Sequence, residues 1–265
     1  MAYLEIRDLE KHFVKSGGGL LSSKKETVKA VNGVSLEIEQ GEILGLVGES
    51  GCGKSTLSRM IMQLIRPTAG SIILNDVDLS ALSTADVRRS RIEFQMVFQD
   101  PYASLNPRMT VFSTIAEAIR QRHPKMKGEE LEKKVAELMA TVGLDASQMK
   151  RYPHEFSGGQ RQRIAIARAL APEPKLIIAD EPVSALDVSI QSQILNLLKD
   201  LQKNLGLTML FISHDLGVVH YIADRIAVMY QGKIVEVGPA SEVFNSPKHE
   251  YTQRLLASIP KLKSA

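Results

Sequence analysis

A glycine-rich turn between an apolar run and a helical segment constrains this chain more than any other feature. Residues 48–55 read GESGCGKS, which matches the pattern G-x-x-x-x-G-K-[ST] at each fixed position. An apolar run at residues 43–47 precedes the turn, and residues 56–64 can form a helix that ends before Pro67. Glycines in such a turn let backbone N–H groups point at phosphate, and the helix N-terminus adds a positive dipole. The sequence therefore predicts a nucleoside triphosphate site in an α/β fold.

Individual roles follow for residues of this turn, which we call the phosphate cradle. Lys54 is expected to reach the β- and γ-phosphates, and the Ser55 hydroxyl is expected to ligate Mg²⁺. Cys52 lies where only the backbone is needed, so we interpret it as a small filler side chain; a bulky thiol reagent there is expected to block ATP binding. The expected ATP contacts are Gly48, Glu49, Ser50, Gly51, Cys52, Gly53, Lys54, Ser55 and Thr56.

Composition restricts the class of molecule. The chain has 265 residues, of which 44% are hydrophobic, so it can form one large α/β domain or two small ones. The net charge is +3 with Lys and Arg spread along the chain, which favours a solvated surface over one that binds nucleic acid or lipid. The single cysteine excludes an intrachain disulfide and fits a reducing cytosol. We expect no signal peptide and no membrane span, so a membrane role requires a partner.

Periodicity predicts the elements of the α/β fold. Val34, Leu36 and Ile38 alternate with polar residues, and residues 3–6 do so too, which indicates antiparallel strands joined by a mobile surface loop at residues 15–29. Short continuous apolar runs indicate strands of a parallel sheet covered on both faces; they occupy residues 43–47, 176–179, 209–212 and 226–229. A helix follows residue 187, capped by Asp187 or Ser189, and buries Ile190, Ile194, Leu197, Leu198 and Leu201.

The middle of the chain has a different pattern. From residue 101 to residue 168 the periodic signals are helical, with one apolar stripe and the i,i+4 pairs Glu129–Lys133 and Glu130–Lys134. The stripe consists of Leu131, Val135, Leu138 and Val142. We predict a helical subdomain inserted into the α/β core, followed after Gly238 by a polar tail with one amphipathic turn at residues 251–256.

Two acidic residues end an apolar run. Asp180 and Glu181 follow residues 176–179, and the carboxyl end of a parallel strand is where ligands bind in such sheets. Asp180 suits Mg²⁺, directly or through water, and Glu181 is placed to activate or orient the attacking water. Taken alone, the pair could equally be two solvated acids; the phosphate cradle favours the catalytic interpretation.

A second polar, glycine-rich helix start lies about a hundred residues after the first. Residues 157–160 read SGGQ before a run of helix formers, and Ser157 and Gln160 have the spacing of a capping box. Spacing alone favours an ordinary capped helix, although free N–H groups there also form an anion site. Three arginines in this helix, Arg161, Arg163 and Arg168, are interpreted as a solvated helix face.

Six motifs in order resemble the ATP-binding cassette (ABC) ATPases. The cradle and the acidic pair are two of them, and FSGGQRQR (residues 156–163) is similar to the signature motif of that family. Phe98-Gln99-Asp100 resembles the Q-loop, and Ser213-His214-Asp215 resembles the switch histidine. The D-loop resemblance comprises Ser184, Ala185, Leu186 and Asp187. Phe13 occupies the position of the aromatic residue that is expected to stack on adenine in this family.

The resemblance implies a fold and its subdivisions. The fold is α/β, with a P-loop NTPase (RecA-like) core, an N-terminal antiparallel β subdomain and an inserted α-helical subdomain. The core is expected at residues 1–98 and 166–238, the helical subdomain at residues 99–165 and the tail at residues 239–265. An ATPase with ATP and Mg²⁺ as cofactors is implied.

The resemblance also implies that two cassettes pair head to tail. Each ATP then lies between one chain's cradle and the signature of its partner, which supplies Ser157, Gly158, Gly159 and Gln160 in trans. Gln99 is expected to contact Mg²⁺ and water and to report to the membrane subunit, while His214 holds the γ-phosphate. The expected Mg²⁺ ligands are Ser55, Gln99 and Asp180, and the catalytic set is Glu181, His214, Gln99 and Lys54. The second cassette can be a second copy or a paralogue.

Two stretches resemble the importer branch for oligopeptides, dipeptides and nickel. They are residues 97–108 (VFQDPYASLNPR) and residues 246–256 (SPKHEYTQRLL). The implied partners are two transmembrane permease subunits and, through them, an extracytoplasmic solute-binding protein, with the chain at the cytoplasmic face of the membrane and no nucleic acid bound. No cysteine follows Cys52, so the four-cysteine cluster suggested for many members cannot form. The transported solute stays open.

Two other functions remain to be compared. A soluble ABC ATPase that acts on ribosomes or nucleic acid shares the motifs, but such proteins usually carry two cassettes or a long coiled-coil insertion, and neither is visible here. A P-loop small-molecule kinase shares the cradle but does not explain residues 157–160 or His214. A transport ATPase accounts for all of the motifs.

Overall fold

The computed structural model describes residues 2–15 and 26–257. The chain divides into two compact units. The first contains the described residues up to Val87 together with those from Phe211 onward, and the second is Arg88–Leu210. The boundaries predicted for the helical subdomain, residues 99–165, and for the tail stay predictions.

Helices alone follow one another from residue 101 to residue 170, and strands then alternate with helices to residue 230. The strands are β1 (Ala2–Lys15), β2 (Glu26–Glu39), β3 (Ile43–Val47), β4 (Ala69–Leu74), β5 (Val77–Asp78), β6 (Phe94–Val97), β7 (Leu176–Asp180), β8 (Thr208–Ser213), β9 (Arg225–Tyr230) and β10 (Lys233–Pro239). The helices are α1 (Lys54–Ile61), α2 (Thr84–Ser90), α3 (Pro101–Ser104), α4 (Val111–Arg122), α5 (Gly128–Thr141), α6 (Gly158–Leu170), α7 (Val188–Leu205), α8 (Leu216–Ile222), α9 (Ala240–Asn245) and α10 (Glu250–Ala257). Two short 3₁₀ helices lie at Ala146–Lys150 and Pro153–Glu155.

An antiparallel sheet in the order β2-β1-β4-β5 forms part of the first unit. Val34, Leu36 and Ile38 are buried opposite β1 residues, which confirms the predicted alternation. The predicted loop at residues 15–29 is wrong at its end, because Thr27 and Val28 pair with β1 and the ladder satisfies their backbone groups. Residues 16–25 of that loop lie outside the described residues.

The first unit also contains the strand that leads into the cradle. β3 is buried along its whole length and pairs in parallel with β9, and β10 adds to β9 in antiparallel orientation. Helix α8 packs closely on β3, because a Cβ on Gly45 would lie 2.1 Å from Val219 Cγ1. Helix α1 starts at Lys54 instead of Thr56 and ends at Ile61, since Gln63 adopts a left-handed conformation with φ 53°.

The second unit combines a parallel strand pair with helices. β6 and β7 pair in parallel from Phe94 opposite Leu176 to Val97 opposite Ala179, as buried apolar runs predict. In α5 the predicted stripe is wrong at one position: Met139 is fully buried and Leu138 is only half-buried. Lys134 is predicted to pair with Glu130, but its Nζ instead lies 2.8 Å from Oε1 of Glu173, on the loop before β7.

Helix α7 fits its predicted apolar face only in part. Ile194, Leu198 and Leu201 are buried, but Leu195 takes the place expected for the half-buried Leu197. Asp187 occupies the N-cap position without a side-chain hydrogen bond to the helix. Gly206 ends the helix in the left-handed conformation with φ 62°, which a residue without Cβ adopts readily.

The three arginines of α6 do not form a solvated face. Arg161 Nε donates to the Pro153 carbonyl at 2.9 Å, and Arg163 Nη1 donates to the Val142 carbonyl at 2.6 Å. Arg168 Nη1 donates to the carbonyl of Ser104. These side chains are half-buried, and two of the three carbonyls, those of Val142 and Ser104, lie at the C-terminal ends of α5 and α3, where helix carbonyls need partners.

The C-terminal segment is more structured than a polar tail. Val243 of α9 and Tyr251 and Thr252 of α10 are buried, and His220 of α8 stacks on Phe244 with ring centroids 4.1 Å apart. Residues 258–265 lie outside the described residues. Among the helices that the structure describes, none has the length and apolar character needed to cross a membrane.

Candidate active site

The phosphate cradle has an exposed tip and a buried base. Glu49, Ser50 and Gly51 are exposed, whereas Lys54 and Cys52 are buried. The Cys52 carbonyl accepts a hydrogen bond of 2.9 Å from the N–H of Gly232 in the β9–β10 turn, a residue outside the cradle. The cradle therefore presents its tip to solvent while the neighbouring strands hold its base.

Two glycines of the cradle are required by close approach of backbone. A Cβ on Gly48 would lie 2.2 Å from the Met229 carbonyl oxygen, and a Cβ on Gly53 would lie 2.2 Å from the Ala30 carbonyl oxygen. Gly53 also has a φ of 116°, a conformation that residues with a Cβ rarely adopt. The close approach of the backbone of β2 and β9 therefore requires glycine at both positions.

The Lys54 side chain folds back onto the backbone at the start of the cradle. Its Nζ donates to the Gly48 carbonyl at 2.6 Å and to the Glu49 carbonyl at 2.9 Å, and the residue is only 4% exposed. A buried ammonium needs such acceptors. Helix α1 begins at Lys54 without a side-chain cap, so its first N–H groups and the Lys54 charge together suit an anion.

Cys52 is a buried filler at the base of the cradle. Burial raises the pKa of its thiol, and the nearby Lys54 charge offsets only part of this effect. A thiol with a raised pKa is a poor nucleophile at neutral pH. The filler interpretation agrees with this environment.

Phe13 lies near the cradle within the first unit. It pairs with Val28 across the β1–β2 ladder, and Ala30, two residues further along β2, abuts Gly53. The ring is 42% exposed, with Lys11 Nζ 5.4 Å from its centroid. An exposed ring near a phosphate site is suited to stack on a base.

His214 is exposed directly after β8, in the first unit. Asp215 follows it and caps α8, accepting from the N–H of Gly217 at 2.8 Å and of Val218 at 3.2 Å. The cap fixes the backbone beside His214, and the imidazole is left accessible.

Gln99, Asp180 and Glu181 meet at one edge of the second unit. β6 and β7 are parallel, so the residues after their carboxyl ends lie side by side. Gln99 Nε2 donates to Glu181 Oε2 at 3.3 Å. Glu181 has a φ of 49°, and a non-glycine residue held in that region carries backbone strain of a kind that clusters at active sites.

The residues expected to hold Mg²⁺ offer a suitable donor set. Asp180 is 8% exposed at the end of β7, and its carboxylate is the hard oxygen ligand that Mg²⁺ prefers. Ser55 is exposed at the start of α1. No group of three or more His, Cys, Asp or Glu side chains able to hold a metal occurs among the residues that the structure describes.

The D-loop residues form a turn that is tied to Glu181. The Ser184 hydroxyl donates to the Glu181 carbonyl at 3.1 Å, and Gln191 Nε2 donates to the Leu186 carbonyl at 2.9 Å. Ala185 and Asp187 are exposed on this turn. A displacement of the turn would therefore be transmitted to the backbone of Glu181.

The signature residues begin α6 with the predicted capping box. Ser157 Oγ accepts from the Gln160 N–H at 3.3 Å, and the Ser157 N–H donates to Gln160 Oε1 at 3.0 Å. A hydroxyl that accepts one bond still has its own proton to donate. The Ser157 hydroxyl can therefore accept the capping hydrogen bond and donate its proton to an oxyanion at the same time.

The two signature glycines differ in their surroundings. A Cβ on Gly159 would lie 2.5 Å from Ile190 Cγ2 on α7, so that glycine is required by helix packing. A Cβ on Gly158 would meet Leu186 Cδ2 at 3.5 Å, an ordinary contact. Gly158 is exposed, and no close contact with the described part of the chain requires it to lack a side chain.

Each unit thus collects part of the predicted site. The cradle, Phe13 and His214 belong to the first unit, while Gln99, the acidic pair, the D-loop and the signature belong to the second. Sequence reasoning missed Tyr251, whose hydroxyl contacts the cradle at Glu49. Tyr251 lies in the stretch that carried the branch resemblance, which was the available signal.

A cradle of this construction, an acidic pair after a buried strand and a glycine-rich capped helix define an ATP-hydrolysing cassette. The family model for the ABC transporter matches residues 31–184. A second model, for the C-terminal region of oligopeptide/dipeptide transporters, matches residues 235–265. The chain belongs to the ABC transporter family.

Curated relatives resemble the chain over almost its whole length. The oligopeptide transport ATP-binding protein OppF of Escherichia coli is 52% identical over 258 residues, which is 97% of this chain and 77% of OppF. AppF of Bacillus subtilis is 55% identical over 259 residues, 97% of this chain and 78% of AppF. Both relatives are named for transport, which supports an ATPase that powers a transporter and gives no support to the ribosome or nucleic-acid alternative.

Solved structures confirm the fold class. A dimeric ABC transporter cassette, MJ0796, superposes with a TM-score of 0.79 at 30% identity, covering 89% of this chain and 98% of that one. A post-hydrolysis dimer of the same cassette with ADP and Pi has a TM-score of 0.78. CbiO1 of Clostridium perfringens, also with a TM-score of 0.78, covers 98% of this chain at 28% identity. Paired cassettes in a transporter complex with permeases are implied for this ATPase.

Proposed function

We propose that the chain is an ATP-hydrolysing subunit of an importer of oligopeptides or dipeptides. The observation that carries this proposal is the match of residues 235–265 to the C-terminal region of oligopeptide/dipeptide transporters. The ABC motifs are shared by the wider family and do not distinguish its branches. The match of residues 235–265 is therefore the observation that favours the peptide importer branch. Nickel and other small solutes are the alternatives that the test must separate.

The proposed catalytic cycle uses residues of both units. Lys54 and the N–H groups of Gly51, Gly53 and Ser55 hold the phosphates, and Phe13 stacks on adenine. Glu181 orients the attacking water, with Gln99 holding its carboxylate. The bond of 3.3 Å between those two side chains supports this assignment, because a water-activating carboxylate must be held in one orientation.

Mg²⁺ is proposed to be held by Ser55, Gln99 and Asp180. The ion would supply charge neutralisation at the phosphates. The chain's own contribution is an oxygen-only donor set. Asp180 is buried at the end of β7, and Ser55 is the second residue of α1.

The signature residues Ser157, Gly158, Gly159 and Gln160 are proposed to serve the nucleotide of a second cassette. The exposed Gly158 supports this role, since a Cβ there would make only an ordinary contact, with Leu186 at 3.5 Å, among the residues that the structure describes. His214 is proposed to hold the γ-phosphate. The second cassette is either another copy or a paralogue.

The remaining partners follow from the importer proposal. Two permease subunits receive the force of cassette closure, an extracytoplasmic solute-binding protein delivers the peptide, and the chain lies at the cytoplasmic face of the membrane. Phe98, Gln99 and Tyr102 are exposed together after β6, which supports contact between the Q-loop and a permease.

Uptake by a reconstituted transporter tests this function. The chain is co-purified with its permeases and any second cassette, and the complex is placed in proteoliposomes that contain ATP. Labelled tripeptide, dipeptide or Ni²⁺ is then added outside, together with the solute-binding protein. ATP-dependent accumulation of peptide that stops with Glu181→Gln supports the proposal. Accumulation of Ni²⁺ without peptide would overturn the peptide assignment and leave the ATPase role intact.

A further inference from the structure

The C-terminal helix α10 reaches the phosphate cradle through one side chain. Tyr251 Oη accepts a hydrogen bond of 2.8 Å from the backbone N–H of Glu49, although 202 residues separate them. Tyr251 is only 2% exposed, and its hydrogen bond to the exposed residue Glu49 is partly buried. Loss of the acceptor would leave this partly buried N–H without a protein partner, which is unfavourable, so the contact supports the conformation of the cradle.

Lys54 contacts the same peptide group from its other side. The N–H that Tyr251 holds belongs to the peptide between Gly48 and Glu49, and the carbonyl of that peptide accepts from Lys54 Nζ at 2.6 Å. A peptide group is planar, so one rotation moves both its N–H and its C=O. The bond to Tyr251 therefore fixes the carbonyl against which Lys54 is positioned.

That peptide needs an anchor from outside the cradle. It follows Gly48, and a residue without Cβ leaves the adjoining backbone torsions unrestricted. Its N–H is engaged by Tyr251 and is thus directed at α10, whereas phosphate binding requires N–H groups that face the ligand. Tyr251 consequently acts as part of the support of the cradle.

Tyr251 is itself held in place. Its ring packs against Tyr230 at the end of β9, with centroids 4.2 Å apart. The start of α10 is fixed by Glu236 of β10, whose carboxylate accepts from the N–H of Lys248 at 2.8 Å and of His249 at 3.0 Å. Burial raises the pKa of Tyr251, which keeps its hydroxyl neutral at physiological pH.

We propose that Tyr251 is a positioning residue for nucleotide binding and that α10 is thereby part of the nucleotide site. Tyr251 acts through the peptide between Gly48 and Glu49 on Lys54. This inference rests on the proposal that the cradle holds the phosphates of ATP. By linkage, ATP binding strengthens the docking of α10 to the same degree that docking strengthens ATP binding.

Tyr251→Phe tests this role, because it removes the hydroxyl and retains the ring. The matched control is Tyr230→Phe, which removes the hydroxyl of the neighbouring ring. That hydroxyl accepts a hydrogen bond of 3.1 Å from Nε2 of the exposed Gln231. A fluorescent ATP analogue measures Kd on the full chain. We expect Kd to rise about 2- to 10-fold for Tyr251→Phe and to be unchanged for Tyr230→Phe.

Kinetics separate positioning from loss of structure. In the assembled transporter, Tyr251→Phe is expected to raise KM for ATP with kcat changed less than about twofold, whereas partial unfolding would lower kcat and leave KM unchanged. If Tyr251→Phe does not fold, Glu236→Ala tests the same link from the other side of α10 and is expected to raise Kd too.

Hydrogen exchange tests the reciprocal effect. ATP is expected to slow amide exchange in residues 250–257 of Glu181→Gln protein, and this protection should be lost when Tyr251→Phe is added. Unchanged Kd in Tyr251→Phe, or an equal rise in Tyr230→Phe, overturns this inference. Failure of the wild-type chain to bind ATP would instead overturn the proposed function.

Discussion

Gln99 Nε2 donates a hydrogen bond to Glu181 Oε2 at 3.3 Å, although the two residues are 82 positions apart. The parallel pairing of β6 with β7 brings them together, because each residue follows the carboxyl end of its strand. Glu181 is further constrained by its left-handed backbone and by Ser184, which donates to its carbonyl. A carboxylate held in this way can orient a water molecule.

Glu181→Gln is expected to retain ATP binding and to lower ATP turnover by about 10²- to 10⁴-fold, because the amide keeps the shape but cannot take a proton. Phosphate release by the assembled transporter measures turnover, and the fluorescent analogue measures binding. Glu132→Gln, at an exposed position of α5, is the control and should turn over normally. Turnover of Glu181→Gln at the wild-type rate would remove Glu181 from the mechanism.

The two signature glycines should respond differently to alanine. Gly158→Ala is expected to change the free energy of unfolding by less than about 0.5 kcal/mol, since its Cβ would meet only Leu186 at 3.5 Å, and yet to reduce ATP turnover at least about tenfold by obstructing the partner's nucleotide. Thermal melts and phosphate release measure the two effects. Normal turnover by Gly158→Ala would argue against binding in trans.

Gly159→Ala is expected to destabilise the fold by about 1–3 kcal/mol, because its Cβ would lie 2.5 Å from Ile190 Cγ2. Adding Ile190→Ala removes that clash, so the double variant should be more stable than the sum of the two single changes predicts. Denaturant unfolding of the four proteins of this cycle measures the coupling. Purely additive effects would show that Gly159 is not required by packing.

Gln162 is a fully buried residue of α6 whose amide nitrogen and oxygen both lack a hydrogen-bond partner among the residues that the structure describes. Gln162→Met retains the length of the side chain and removes the buried polar atoms. We expect the free energy of unfolding to rise by about 1 kcal/mol and Tm by about 2–4 °C. Gln121→Met, at an exposed position of α4, should leave Tm unchanged. A lower Tm for Gln162→Met would indicate that water satisfies the amide.

The docking of α10 should weaken at acid pH. Burial acts to raise the pKa of Glu236, but hydrogen bonds from the N–H of Lys248, the side chain of Thr252 and the N–H of His249 together outweigh it and hold the pKa below its ordinary value. This stabilisation is complete above about pH 4.3, the ordinary value for glutamate, and is lost as the pH falls through the lower folded value. Tm is measured from pH 7 to pH 3 for wild type and Glu236→Gln. A difference in Tm that stays constant with pH would contradict this origin.

Alkylation of Cys52 should be slow. Burial raises the pKa of this thiol, so the thiolate fraction near pH 7.5 is smaller than that of a free cysteine, and the rate should increase as the pH rises. Iodoacetamide labelling followed by mass spectrometry measures the rate, and ATP is expected to lower it further. Labelling as fast as that of free cysteine would contradict the buried position. Because Cys52 is the single cysteine of the chain, its Cys52→Ser variant provides the unlabelled control.

The sequence predicted the elements that depend on local chemistry. The cradle pattern fixed the strand, turn and helix around Lys54, and the spacing of Ser157 and Gln160 predicted a capping box that both bonds confirm. Errors occurred where neighbours decide burial. Met139 replaced Leu138 in the apolar face of α5, and the arginines of α6 bond to carbonyls of other segments, which periodicity does not reveal.

The sequence by itself determined that this chain has a phosphate cradle, an acidic pair and a capped glycine-rich helix, because each depends on residues that are adjacent along the backbone. The tertiary structure alone decided which distant groups support them. Ile190 makes Gly159 necessary, and Tyr251 holds the peptide against which Lys54 lies. Such contacts depend on how separate elements pack, and no local pattern records which atoms of distant segments will meet.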